Sequence, residues 1–213
     1  MKRMLLTAFV SVLVAFGSAR GAAAAAAEAG AAAGPVVDAV WVEREIFVTY
    51  MAFTSYFSCE GLREKVRWVL KELGARQGFT VTTRGCVRLS GPEVMPGVRI
   101  VAALPVEATP EVLAELASGA SKRELESRAT GKALAEPEAT ARFPAQPRRV
   151  EFRSQMNGPL QDGDCELIEH LRDKVMVPLG ARIIEDGVRC VPRQVSLGAV
   201  RLTVEVLQPL PEQ

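Results

Sequence analysis

The sequence predicts an α+β protein made of two tandem β-α-β-β repeats, each closed by one disulfide, with helices packed on one face of a mainly antiparallel sheet. Three observations point there. A cysteine-bearing segment occurs twice, the hydrophobic period switches in the same order within each copy, and four cysteines follow a leader-like N-terminus.

The repeat comes first because it organises the rest. From Cys59 the chain runs Cys-Glu-Gly-Leu to Leu73-Gly74-Ala75-Arg76, and from Cys165 it runs Cys-Glu-Leu-Ile to Leu179-Gly180-Ala181-Arg182 at the same offset. The next cysteines, Cys86 and Cys190, arrive 27 residues after Cys59 and 25 residues after Cys165. Cys86-Val87-Arg88 then matches Cys190-Val191-Pro192-Arg193, and Val98-Arg99-Ile100 matches Val200-Arg201-Leu202. Four matches in order are an internal duplication. It divides the chain into repeat 1 (39–106), a connector (107–147) and repeat 2 (148–213).

Within repeat 1, Ile46, Val48 and Tyr50 alternate with Glu45, Phe47 and Thr49, the pattern of a half-buried strand. Leu62, Val66, Val69, Leu70 and Leu73 then fall at helical spacing, opposite Arg63, Glu64, Arg67 and Lys71. Gly74 stands where a left-handed cap would end that helix. Phe79, Val81 and Thr83 suggest a second strand, and Val98 to Leu104 a third.

Repeat 2 follows suit with Val150 and Phe152, a helix through Leu167, Ile168, Leu171 and Val175, a strand from Arg182 towards Cys190, and a strand through Val200, Leu202, Val204 and Val206. Pro178 predicts that its helix stops near Met176, since proline inside a helix costs about 3 kcal/mol. In the connector, Thr109-Pro110-Glu111 starts a short helix over 110–118, and Ser121-Lys122-Arg123-Glu124 caps a second over 121–133. Glu136-Pro137, Phe143-Pro144 and Gln146-Pro147 read as an extended run.

Four cysteines allow three pairings. The spacing favours Cys59–Cys86 and Cys165–Cys190, each stapling a helix start to a following strand; Cys59 paired with Cys165 is the alternative. The compartment fits. Met1-Lys2-Arg3 precedes an uncharged apolar run from Met4 to Phe16 and the small residues Gly17-Ser18-Ala19. That is the pattern of a secretory signal over 1–27, cleaved somewhere in 19–27 and followed by an Ala/Gly-rich tether over 28–38. The expected location is the periplasm or the exterior, with no membrane span after cleavage.

Composition narrows the function. The formal charge is +1 and no basic run occurs, which speaks against nucleic acid as a partner. No two cysteines stand at the close spacing of zinc or thiol-redox motifs. The single histidine, His170, reads as a helix-surface residue, so neither a metal site nor a catalytic constellation is expected, and no cofactor. Glu43 with Glu45, and Glu60 with Glu64, share faces in the manner of exposed charge. One feature exceeds the ordinary: Trp41, Phe47, Tyr50, Phe53, Tyr56 and Phe57 crowd a single stretch. Core packing explains such a cluster, and so does a surface for a partner, because Tyr and Trp are favoured there.

The expected function is therefore an exported, non-catalytic envelope protein that binds or scaffolds, with another envelope protein or a cell-wall glycan as partner. The alternatives are a hydrolase using carboxylates between the repeats and, more weakly, a thiol-redox partner.

Overall fold

The computed structural model describes residues 34–51, 53–86, 95–130, 141–155, 158–195, 197–198, 200–211. The leader and most of the tether lie outside these residues. Alternation and helical spacing become six strands and three α-helices in the described residues: β1 (Val37–Thr49), α1 (Cys59–Glu72), β2 (Thr80–Arg84), β3 (Gly97–Glu107), α2 (Pro110–Thr130), β4 (Phe143–Arg153), α3 (Cys165–Leu171), β5 (Arg182–Asp186) and β6 (Arg201–Pro209).

The six strands form one antiparallel sheet in the order β2-β3-β1-β4-β6-β5. Corresponding strands of the two repeats sit at mirrored places in this order, so the duplication becomes a pseudo-twofold axis between β1 and β4. The join itself is short: Val37, Asp38 and Ala39 face Ala145, Pro144 and Phe143. β1 begins at Val37, opposite Ala145, so Pro147 meets no ladder partner across that edge and its missing N–H costs nothing there.

In β1, β3, β4 and β6 the even-numbered residues supply the core, whereas in the edge strands β2 and β5 the odd-numbered Val81 and Ile183 do. Val48, Ile100, Leu104, Phe152, Leu202 and Val204 join Leu62, Val66, Val69 and Leu70 of α1 and Leu167, Ile168 and Leu171 of α3 in one continuous core. Each such side chain contributes about 1.5–3 kcal/mol by leaving water. The repeats share that core: Trp68 of α1 meets Phe152 of β4 at 5.7 Å, nearly perpendicular.

Both disulfides close within their repeats, Cys59–Cys86 and Cys165–Cys190, with Cα separations of 6.1 and 5.6 Å. The repeated Leu-Gly-Ala-Arg also acquires a physical meaning. Gly74 has φ 77° and Gly180 φ 98°. Gly74 N–H bonds to Lys71 and Ala75 N–H to Leu70, as Gly180 bonds to Val177 and Ala181 to Met176. Both are Schellman caps, which need a left-handed residue after the last helical one. In repeat 2 the cap is reached differently. α3 ends at Leu171 and continues as one π-helical turn, Arg172–Met176, with Val177 N–H bonded to Arg172. The wider turn ends just before Pro178, which cannot donate an i→i−4 bond.

The connector departs from expectation. α2 is one helix over Pro110–Thr130, not two. Thr109 caps it as expected, its hydroxyl accepting from Val112 N–H at 3.4 Å. The predicted second start at Ser121 is overridden because the stretch is rich in Ala, Glu, Leu and Arg; the opposing Gly119 costs only about 1 kcal/mol. From Phe143 onward, the extended run is the first part of β4. Glu136-Pro137 lies outside the described residues.

Candidate functional site

The site is assembled where the chain leaves β1 and meets the start of α3. Ser58 caps α1 locally, its hydroxyl accepting from Gly61 N–H at 3.0 Å. The corresponding residue in repeat 2, Asp164, does more. It accepts from Gln161 N–H at 2.7 Å and from the Lys65 ammonium of α1 at 2.6 Å. The side chains of this ion pair are 20% and 4% exposed. Lys65 also donates to the Pro159 carbonyl at 3.0 Å and lies 5.6 Å from the Phe57 ring.

The residue after each first cysteine shows the same divergence. Glu60 pairs with Arg63 on its own helix. Glu166 instead crosses to repeat 1: Phe53 N–H and Thr54 N–H donate to one oxygen at 2.9 and 3.0 Å, and the Thr54 hydroxyl donates to the other at 2.9 Å. The loop after β1 is thus held down on α3. Close approach continues at Gly163, where a Cβ would lie 2.7 Å from the Ser55 hydroxyl. The loop before β6 is drawn in too: the Asp162 carboxylate accepts from the Ser154 hydroxyl at 2.7 Å and from Gly198 N–H at 2.9 Å. Those two donors hold the Asp162 carboxyl below the usual range.

Between these loops lies an open groove of about 340 Å³, lined by Tyr50, Met51, Phe53, Glu166, Glu169, His170, Asp173, Lys174, Cys190 and Pro192. Tyr50 belongs to its buried floor. The ring is 2% exposed, 5.5 Å from Phe57 and 6.0 Å from His170, and its hydroxyl has no hydrogen-bond partner among the described residues. Burial, then the charges of Glu166 and Asp164, push the phenol upward. His170 is half-buried against this floor rather than on a free helix surface, because the loop after β1 covers α3. Burial lowers its pKa first, and the Lys174 ammonium lowers it further; Asp173 and a hydrogen bond to the Thr49 backbone oppose them. Asp173 is held low by its hydrogen bond from Arg172.

The six aromatics of the crowded stretch part company in the fold. Trp41 lies half-buried on the sheet face opposite α1 and α3, 5.2 Å from Phe143 and 5.8 Å from the Arg76 guanidinium. Phe47 stands exposed on that same face, with Arg84 and Arg99 at 5.2 and 6.0 Å. Phe57 packs against the core. Tyr50 and Phe53 reach the groove, and Phe53 and Tyr56 are more than half exposed on their loop. Met51 and the α3 side of the groove carried no sequence signal of their own; the apolar Val191, Val195 and Leu197 in an otherwise polar loop were the nearest hint.

Among the described residues, no three His, Cys, Asp or Glu side chains gather to hold a metal ion, and no helix is long and apolar enough to cross a membrane. No protein family matches the chain, and neither do curated proteins or solved structures.

Proposed function

We propose that this protein is an exported, non-catalytic module of the cell envelope that holds another macromolecule at the end of the fold beside α3. One observation carries the reading. Of the eleven large apolar side chains exposed among the described residues, six lie on the two loops flanking the groove: Met51, Phe53, Tyr56, Val191, Val195 and Leu197. Single exposed apolar residues are ordinary, but six on two loops beside one groove support the reading of an interaction surface. The loops are also pre-set by the Glu166 and Asp162 hydrogen bonds, which reduces the ordering a partner must impose. Two disulfides are compatible with an oxidising, exported location, and the leader pattern supports the same address.

The hydrolase reading has less support. Asp164 and Glu166, the carboxylates between the repeats, already accept hydrogen bonds from Lys65, Gln161, Phe53 and Thr54. A thiol-redox role would start from disulfides, since all four cysteines are paired.

The test compares wild type with Phe53→Ala/Leu197→Ala as bait in envelope extract, with peptidoglycan sedimentation alongside. Loss of a captured component or of sedimentation in the variant is expected. Equal capture by both proteins would refute docking at this end.

A further inference from the structure

We propose that the groove receives a lysine or arginine side chain of a partner polypeptide, with an apolar neighbour of that residue seated on Met51 and Phe53. This rests on the reading of the loop end as a docking surface, and it commits that surface to a cationic, apolar peptide segment.

The argument is charge complementarity on an apolar wall. Three carboxylates line the groove, Glu166, Glu169 and Asp173, against the Lys174 ammonium; Asp173 is already paired with Arg172, so Glu166 and Glu169 carry the negative charge that no ion pair among the described residues offsets. His170 adds little positive charge near neutrality, since burial favours its neutral form. Among the nearby arginines, Arg172 offsets one lining carboxylate, and none of them lines the groove itself. Arg172 is 16% exposed and spans Asp173 and Asp186, both at 2.7 Å. Arg189 turns back to the carbonyls of Asp186 and Val188. Arg193 is not among the lining residues. The Glu169 side chain is exposed, lines the groove and makes no hydrogen bond or ion pair with any described residue.

The walls suit the aliphatic part of such a side chain. Met51 and Phe53, 59% and 54% exposed, form one wall, and Cys190 and Pro192 contribute another. A lysine or arginine stem packs on apolar surface while its head stays in a polar rim. The same acidic lining works against an anionic lipid surface, the other destination open to a loop end rich in apolar side chains.

The duplication supplies an internal control. At the α1 positions matching Glu169 and Asp173, repeat 1 has Arg63 and Arg67. The carboxylate excess is therefore peculiar to α3.

Fluorescence anisotropy with a labelled Ser-Leu-Lys-Leu-Lys-Ser-Gly peptide tests the proposal, against versions carrying norleucine or glutamate in place of lysine. The lysine peptide is expected to bind about threefold tighter than the norleucine peptide, and the glutamate peptide weakest. Glu169→Gln/Asp173→Asn should remove the lysine preference and leave norleucine binding unchanged. Equal binding of lysine and norleucine peptides, lost together in Phe53→Ala, would overturn the charge claim and spare the docking reading. Absence of peptide binding, beside Phe53-dependent capture from extract, would also overturn this inference alone. Preferential binding to vesicles of phosphatidylethanolamine and phosphatidylglycerol would overturn it in favour of a lipid surface.

Discussion

The two repeats use one frame and meet each other with different side chains. The frame is what closes each unit: a disulfide from helix start to distal loop, a Schellman cap on Leu-Gly-Ala, and a strand alternating against a common core. The differences gather at the helix entrances. Repeat 1 caps α1 with Ser58 and spends Glu60 on Arg63, both local. Repeat 2 sends Asp164 to Lys65 and Glu166 to the Thr54 loop, both across the boundary. The two helices also differ in course, α1 running 14 residues and α3 seven before its π-helical turn. The lesson is that duplication fixes the closure of each unit and leaves the mutual interface free to diverge. That divergence produces the groove.

Removing either disulfide should have the largest effect. Loops of 27 and 25 residues are each worth about 3 kcal/mol in the chain-entropy model. Denaturant melts of Cys59→Ala/Cys86→Ala and Cys165→Ala/Cys190→Ala should therefore show similar losses. A loss confined to one pair would break the claim of a shared frame.

Next come the boundary contacts. Lys65→Met leaves the buried Asp164 carboxylate without its cation and should cost about 2–3 kcal/mol. Arg63→Ala removes only an exposed pair and should stay within about 1 kcal/mol. Equal losses in urea titrations would mean that the cross-repeat ion pair holds nothing together.

The caps give a smaller and symmetric effect. Gly74→Ala and Gly180→Ala each force a Cβ into the left-handed region at a cost of about 1 kcal/mol. A neutral result at either site, by thermal unfolding, would show that its cap is not maintained in solution.

The smallest effect is a slope with pH. His170 is the only histidine, and its folded pKa lies below the ordinary 6.5. The unfolded chain therefore takes up that proton first as pH falls. Stability should drop as pH falls through the ordinary value towards the folded one. His170→Gln should flatten the fall in denaturation midpoint between about pH 7.5 and about pH 5.5. An unchanged slope would contradict the half-buried placement of the ring.

Much of this fold was legible because its signals are local. Period-two and helical spacing placed the strands and α1, Gly74 announced its cap, and cysteine spacing favoured the pairing that is observed. Pro178 located the end of the second helical path at Met176, though not the π-helical turn that precedes it. The site was harder to see because it rests on contacts between residues far apart in the chain. Glu60 and Glu166 follow identical cysteines, and no local pattern tells that one bonds its own helix and the other a loop 112 residues away. Tyr50 shows a conflict between two signals: the alternation of Ile46, Val48 and Tyr50 assigned it to the core face, while the aromatic cluster suggested a surface. Its burial follows the alternation. The crowded stretch thus comprises several short neighbourhoods, of which the Phe53 loop belongs to the groove.

The most direct test exchanges the charge patterns of the two helices. Glu169→Arg/Asp173→Arg gives α3 the arginines of α1, and Arg63→Glu/Arg67→Glu makes the reciprocal change. Each variant, first shown to be folded by its thermal transition, is titrated with the lysine peptide by anisotropy. The account predicts that the α3 exchange abolishes binding and the α1 exchange leaves it within about twofold of wild type. Undiminished binding after the α3 exchange, or equal loss from both, would contradict it.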